Sequence, residues 1–251
     1  MAKVELFEFT GAGRADEKWH AAHILLLTKD TRLELSEGTA RERLAAIAKL
    51  SAAQKMSALQ AMSETIPSSW EFVNVEFEIT GVSRACAQQI TRTRSAAYAM
   101  QSQRVVDGSA LGIVNPFPDE DTYMQSLFND CAASAKESYN ILIEHGAKRQ
   151  DARAILPINT ESSMCAAYNF RAFVDVVRAR ESLRTQDEYH EIIRDMKRQL
   201  LEVWPWAEPF FVPREQLAIE ILERAVQEIG LTVGSGPGWQ VAKAIDLLRK
   251  A

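Results

Sequence analysis

The stretch WEFVNVEFEITGVSRACAQQITRTRSAAYAMQSQRVV, from Trp70 to Val106, changes its hydrophobic period at Gly81. Before this glycine, apolar and polar residues alternate, which predicts a strand with one buried face. The apolar positions are Val73, Val75, Phe77 and Ile79. After the glycine, the residues recur three and four positions apart, which predicts a helix that ends near Arg92 and Arg94. The strand therefore leads directly into a helix with a basic end.

The segment from Gly81 to Val106 is rich in side chains that bind anions. A planar guanidinium suits a phosphate, and amides and hydroxyls suit the edge of a base or a ribose. The arginines are Arg84, Arg92, Arg94 and Arg104, and the polar residues around them include Gln88, Gln89, Ser95, Gln101, Ser102 and Gln103. The same composition also fits a solvated helix end whose arginines pair with nearby carboxylates. Composition leaves both interpretations open.

The remaining chain predicts an α+β fold, mostly helical, with a central antiparallel-type sheet. Period-two patterns or apolar runs indicate strands in the segments around Val4, Trp70, Arg104 and Met164, with an irregularity between Leu6 and Phe7. Helical patterns fill most of the rest of the chain. They include a pair of helices separated near Ser51, a long helix closed by Gly146, and a helix with Asn169 as its N-cap.

The domain organisation follows from these patterns. Residues 1–212 are expected to form one catalytic domain, because 251 residues with 47% hydrophobic content can bury a single large core. Residues 213–251 are expected to form a C-terminal helical extension, interrupted by the glycine-rich run Gly230–Gly238. That run lacks the Lys-Ser/Thr pair of a phosphate-binding loop, so it is interpreted as a connection.

Whole-chain properties exclude several classes of protein. A net charge of −5 argues against a partner that is a nucleic-acid polymer. No apolar run approaches a membrane span or a signal peptide, and three distant cysteines indicate neither a disulfide framework nor a zinc site, so we expect a cytoplasmic protein. His20 and His23 share a predicted helical face, but no third ligand is apparent, so no metal is expected.

The order of motifs resembles that of the flavin-dependent thymidylate synthases. In that family an R-H-R triplet is followed by seven residues and a serine; here the triplet is RTR at 92–94 and the serine is Ser102, followed by Arg104. Other segments follow in the family's order. They are IPSSWEF (66–72), DARAILP (151–157), NFRAF (169–173) and RARESLRTQ (178–186). The resemblance covers residues 68–186 best.

This resemblance implies the family's fold and its reaction, the reductive methylation of deoxyuridine monophosphate to thymidylate. The expected cofactor is FAD, with NADPH as reductant and 5,10-methylenetetrahydrofolate as one-carbon donor. It also implies a homotetramer whose active sites are shared between subunits. Two alternatives stay open: a flavin- and folate-dependent hydroxymethylase acting at C5 of a pyrimidine nucleotide, and a catalytically silent nucleotide-binding homologue.

By motif position, the resemblance assigns site residues. Arg180 would be catalytic and polarise the uracil carbonyl. The substrate-binding set would be Gln89, Gln101, Ser102, Gln103, Arg104, Arg153 and Arg180. The flavin-binding set would be Ser68, Glu71, Arg92, Thr93, Arg94, Asn169 and Arg171. Taken alone, Glu71 and Arg153 could equally be ion-pair partners of neighbouring residues.

Three positions depart from the family's pattern. Thr93 stands where the central motif histidine usually lies, Ile66 falls near another expected histidine, and Met100 replaces a carboxylate found in many members. The alternative chemistry, in which a cysteine thiolate attacks C6 of the uracil, is disfavoured. Cys86, Cys131 and Cys165 lie among small or apolar neighbours and lack the Pro-Cys pair of the cysteine-dependent enzymes.

Overall fold

A computed structural model describes residues 2–33, 37–65, 67–117, 121–181 and 186–212 of the chain. The strands are β1 (Lys3–Phe9), β2 (Asn74–Ser83), β3 (Ala96–Met100) and β4 (Glu161–Asn169). The helices are α1 (Glu17–Leu33), α2 (Ala40–Lys49), α3 (Ala52–Ser63), α4 (Arg84–Ile90), α5 (Thr122–Glu144), α6 (Arg149–Ala152), α7 (Phe170–Arg180) and α8 (Asp187–Val203). Short 3-10 segments lie at Pro67–Phe72, Gly108–Ala110, Arg153–Ile155 and Pro205–Phe211.

The four strands form one antiparallel sheet in the order β1-β2-β4-β3. The predicted α+β class is therefore confirmed. The register of β1 on β2 shifts between Leu6 and Glu8, which confirms the irregularity predicted from the slip in period. The strand expected around Arg104 lies earlier in the chain, at Ala96–Met100, and residues 103–106 form a turn instead.

One face of the sheet carries the hydrophobic core. Val75, Phe77 and Ile79 of β2 are fully buried, and they alternate with polar residues as the sequence predicts. Phe77 stacks on Phe173 of α7, with ring centroids 5.2 Å apart. The opposite face of β3 and β4 exposes small side chains, those of Ala97, Ala99 and Cys165. The sheet is thus covered on one face only within the described chain.

An aromatic cluster closes the core beside α7. Trp204 and Trp206 stack with centroids 5.3 Å apart, and Phe170 packs against both. The indole nitrogen of Trp206 donates to the carbonyl of Lys18 at 2.8 Å, so the last described segment is tied to α1. Arg178 donates to the carbonyl of Phe210 at 2.8 Å. Aromatic contacts of this kind add stability beyond the area they bury.

Capping residues end the helices where the sequence indicates. Ser51 caps α3 and forms a capping box with Gln54, which separates α3 from α2. Asn169 caps α7, because its Oδ1 accepts from the amide of Ala172 at 2.8 Å. The chain leaves α5 through Gly146, which adopts a φ of +85°.

The helix α5 contrasts with the core helices. Only Ala132 and Tyr139 of its 23 residues are buried, whereas Tyr123 is 73% exposed and Leu127 49%. Among the described helices, none is both long and apolar enough to cross a lipid bilayer. The expected C-terminal extension, residues 213–251, and Ile66 lie outside the described residues.

Candidate active site

The RTR turn follows α4, and α8 holds α4 in place. Ser83 caps α4 by accepting from the amide of Cys86 at 3.0 Å, and its own hydroxyl donates to Glu188 at 2.5 Å. The amide of Ser83 also donates to Glu188 at 2.7 Å. Gln89, predicted to bind substrate, donates through its side chain to Gln186 at the start of α8. Three hydrogen bonds, made by Ser83 and Gln89, therefore fix the position of the motif relative to α8.

The two motif arginines differ from the threonine between them. Arg92 and Arg94 are exposed, and within the described ranges neither forms an ion pair. Thr93 is half-buried, and its side chain faces the hydroxyls of Tyr98 and Tyr189, although the buried Tyr189 hydroxyl has no hydrogen-bond partner among the described residues. The turn thus directs two guanidinium groups outward and one hydroxyl toward the core.

Two phenols, those of Tyr98 and Tyr189, lie next to the Thr93 side chain, and the phenol of Tyr168 lies next to that of Tyr98. The hydroxyl of Tyr98 donates to that of Tyr168 at 3.4 Å. Burial raises the pKa of Tyr98, Tyr168 and Tyr189, and the Thr93 side chain partly opposes that rise at Tyr98 and Tyr189. These phenols are therefore neutral at physiological pH. A neutral hydroxyl network occupies the position where the family's histidine usually lies.

Arg180, the predicted catalytic residue, lies beside this network. Its guanidinium carbon is 5.4 Å from the centroid of the Tyr189 ring, a cation–π distance. The adjacent Glu181 pairs with Lys197 at 2.8 Å, so it does not neutralise Arg180. No carboxylate of the described residues lies within ion-pair distance of Arg180. Its charge is available to a bound anion.

The other predicted flavin residues gather at the same end of the sheet. Asn74 pairs with Asn169, and Ala96, two residues after Arg94, pairs with Tyr168. Ser68 and Glu71 lie on the 3-10 segment that precedes β2 and are exposed. Arg171 donates to Glu71 at 2.7 Å, so the ion pair left open by the sequence is present. Both partners of this pair are about half-exposed, with side-chain exposures of 42% and 49%.

A second group of predicted residues lies beyond the other end of β3. Ser102, Arg104, Val105, Lys148, Arg149 and Gln150 line a cavity of about 290 Å³. Arg104 donates to Gln150 at 3.2 Å, and Arg149 donates to the carbonyl of Val105 at 2.8 Å. Three cations and no carboxylate line this cavity, which is the donor set for a phosphate.

The fit between predicted and observed residues at this cavity is partial. Gln103 is buried, with 6% exposure, so it does not line the cavity. Arg153 lies on the next turn, where its Nε donates to the carbonyl of Gln150 at 3.2 Å. Lys148 and Arg149 were not predicted to bind substrate. In the sequence, the basic run Lys148-Arg149-Gln150 before a helical turn is the pattern that could have indicated these two residues.

Within one chain, the residues at the RTR turn and the residues at the cavity beside Arg104 lie at opposite ends of β3. The RTR turn precedes Ala96, at the start of β3, and the Ser102–Arg104 turn follows Met100, at its end. Four steps along a strand span about 13 Å. The predicted substrate residues are therefore divided: Gln89 and Arg180 lie with the motif, and Ser102 and Arg104 lie at the other end.

Cysteine chemistry has no support in the geometry. Cys86 is fully buried, and burial, together with Glu188, raises the pKa of its thiol far above the usual range. Cys165 is exposed on the open face of β4, and Cys131 is exposed on α5. None of the three lines the cavity beside Arg104.

About half of the chain is similar to named proteins from mycobacteria. The chain is 28% identical over 151 residues to proteins named flavin-dependent thymidylate synthase from Mycobacterium tuberculosis (strain H37Rv), Mycobacterium marinum (strain M) and Mycobacterium avium (strain 104). The match covers 54% of this chain and 60% of each relative's length.

A family model described as thymidylate synthase complementing protein matches residues 17–206. The matched region contains the RTR turn, Arg180 and the cavity beside Arg104. It extends to Trp206, within the aromatic cluster that closes the core. The chain belongs to the thymidylate synthase complementing protein family.

Proposed function

We propose that this protein is a flavin-dependent thymidylate synthase, which converts deoxyuridine monophosphate to thymidylate by reductive methylation. The one-carbon donor would be 5,10-methylenetetrahydrofolate and the reductant NADPH. Membership of the family and the names of the mycobacterial relatives support this reaction. The cavity beside Arg104 is the observation that carries the proposal.

That cavity suits the phosphate of a nucleotide. Arg104, Lys148 and Arg149 supply positive charge, and the Ser102 hydroxyl supplies a further polar group. Charge-assisted hydrogen bonds from guanidinium groups are among the strongest that proteins make to phosphate. Because the net charge of the chain is −5, such a local cluster is the means by which it can attract an anion.

The motif end has the donors that FAD requires. Arg92 and Arg94 would offer guanidinium groups to a pyrophosphate, and Ser68 and Asn169 would offer neutral polar groups, whereas Arg171 would first have to leave its ion pair with Glu71. The Oδ1 of Asn169 is used as a helix cap, which leaves its amide nitrogen as a donor. A reduced flavin bound there would supply the hydride that completes the methyl group.

Arg180 would provide the electrostatic part of catalysis. Activation of C5 of a uracil places negative charge on the ring carbonyl, and a cation without a carboxylate partner can stabilise that charge. Tyr189 supports the guanidinium from one side, and Lys197 keeps Glu181 away from it. Gln89, whose side chain donates to Gln186, would contact the base.

The division of the site along β3 favours a homotetramer with shared active sites. A nucleotide phosphate bound at Arg104 lies about 13 Å or more along the strand from the motif turn of the same chain. A second chain could bring its own motif turn to that phosphate. The exposed apolar residues of α5, among them Tyr123 and Leu127, would also be covered by association.

The test is product analysis after anaerobic incubation with FAD, deoxyuridine monophosphate, methylenetetrahydrofolate and NADPH. Mass spectrometry is expected to detect thymidylate. A hydroxymethylated nucleotide would instead support the hydroxymethylase alternative, and bound nucleotide without turnover would support the silent homologue. A protein that binds neither flavin nor nucleotide would refute the proposal.

A further inference from the structure

Three metal-binding side chains meet at the start of α1. Asp16 precedes the helix, and His20 and His23 lie four and seven residues further along. The Oδ2 atom of Asp16 is 3.5 Å from Nδ1 of His20 and 3.5 Å from Nδ1 of His23. One candidate donor atom from each residue lies within 4.8 Å of the other two. Asp16 is the third ligand that the spacing of the histidines did not indicate.

The distances from Asp16 to His20 and His23 fit three ligands of one metal ion better than they fit two hydrogen bonds. Charge-assisted N–H···O bonds are usually about 2.7–2.9 Å long. Ligands bound at about 2.0–2.1 Å to a tetrahedral zinc ion lie about 3.4 Å from one another. Both Asp16–histidine distances are close to this tetrahedral edge. A small movement of His20 toward His23 would complete a face of three ligands.

The cluster opens onto a cavity that could supply the remaining coordination positions. His20 lines a cavity of about 370 Å³ together with Glu8, Glu76 and the loop at Gly11. The two carboxylates and the guanidinium of Arg14 are the charged groups of this lining. Gly11 has a φ of +108°, and a Cβ there would lie 2.9 Å from the Cβ of His20. Only glycine permits this approach of the loop to His20.

Two cations also face the cluster and act against a metal. Arg14 lies 3.4 Å from Asp16, and Lys55 is buried near His23, with its amine donating to the carbonyl of Ala48 at 2.8 Å. These two charges oppose a bound dication, and the Asp16 carboxylate offsets one of them.

We propose that Asp16, His20 and His23 bind a divalent transition-metal ion, with Zn²⁺ the best match to the spacing of the donor atoms. Two imidazoles and one carboxylate with open positions are a common ligand set for Zn²⁺ and Fe²⁺. None of these residues belongs to the motif, flavin or nucleotide groups described above. The proposal is therefore independent of the proposed reaction.

Titration of the untagged, EDTA-treated chain with Zn²⁺ by calorimetry tests this site. We expect one ion per chain, and a weakening of at least about tenfold in both D16N and H20Q. The carbonyl of Asp16, rather than its side chain, accepts from Trp19 and His20, so asparagine preserves the helix start. H145A, which removes an exposed histidine near the end of α5, is the matched control and should bind as the unmodified chain does.

Co²⁺ provides a second measurement that needs no variant. Four-coordinate Co²⁺ gives intense visible absorption, which we expect from the unmodified chain and which Zn²⁺ should remove. Absence of these bands, absence of Zn²⁺ binding, or equal Zn²⁺ affinity in D16N, H20Q and the unmodified chain would overturn the proposal. Circular dichroism in EDTA verifies that each variant is folded before it is used.

Discussion

The RTR turn and the Ser102–Arg104 turn flank the same strand but are supported differently. Thr93 lies beside the buried phenol of Tyr189, and Ser83 anchors the preceding helix to the half-buried Glu188 of α8. The second turn lies on the surface, held by Arg149 through a backbone carbonyl and by Gln150 through Arg104. The turn proposed to carry the chemistry is rigidly supported, and the turn proposed to bind phosphate depends on exposed side chains.

Removal of Arg180 should have the largest effect. R180A is expected to reduce turnover by about 10²–10³-fold, because a cation that stabilises transition-state charge is lost. Steady-state kinetics with saturating nucleotide and flavin would measure this. R198A, an exposed surface arginine paired with Asp195 and Glu202, should retain full activity. Loss of folding in R180A would show instead that this arginine is structural.

Mixing R180A with R104A, at a nucleotide concentration low enough that each variant alone is strongly impaired, should separate a shared site from a site within one chain. R180A and R104A alter opposite ends of β3, so a mixed oligomer contains some sites with both arginines intact. Co-refolding the two is expected to recover a clear fraction of the unmodified activity. If the mixture is no more active than its components, each active site uses both turns of one chain and the proposal of a shared site is wrong.

The surface turn should affect binding more than turnover. R104A is expected to raise KM for the nucleotide by about 10–100-fold, since a hydrogen bond to a charged group contributes about 1.5–3 kcal/mol. K148A should raise it less, because lysine makes single rather than paired contacts. A fall in kcat with KM unchanged in R104A would contradict the assignment of this turn to phosphate binding.

Substitution of Asn169 should have the smallest effect, and that effect should be on stability rather than on activity. N169A removes the cap of α7 and is expected to cost about 1 kcal/mol, a fall of about 2–4 °C in Tm. N169D keeps the cap, so its Tm should match that of the unmodified chain. If both variants retain Tm but bind FAD poorly, the amide serves the cofactor rather than the helix. Differential scanning calorimetry with and without FAD distinguishes these results.

Local patterns predicted most of the fold. Alternation identified β2, the Ser51 cap separated α2 from α3, and Asn169 marked the start of α7. The prediction of a strand around Arg104 was wrong. It relied on the strand propensity of the β-branched residues Val105 and Val106, whereas the small residues Ala96, Ala97 and Ala99 form the strand. These alanines form a strand because they pair with β4, and local strand propensity does not reveal that pairing.

Motif order proposes individual site residues but does not predict their arrangement. The burial of Gln103 and the position of Lys148 at the cavity depend on how the turn packs against α6. The contact between Thr93 and Tyr189 joins residues on α8 and the motif turn, far apart in the chain. Such contacts are fixed by tertiary packing, so spacing along the sequence does not reveal them.

The bond from Trp206 to the carbonyl of Lys18 has a consequence for biosynthesis. It joins positions 188 residues apart, and its aromatic neighbours complete the core only when they arrive. During translation, nearly the whole described chain must be synthesised before Trp206 can contact α1. Contacts of such long range slow folding. A nascent chain stopped before Trp204 is thus expected to expose Phe170 and to be a substrate for chaperones.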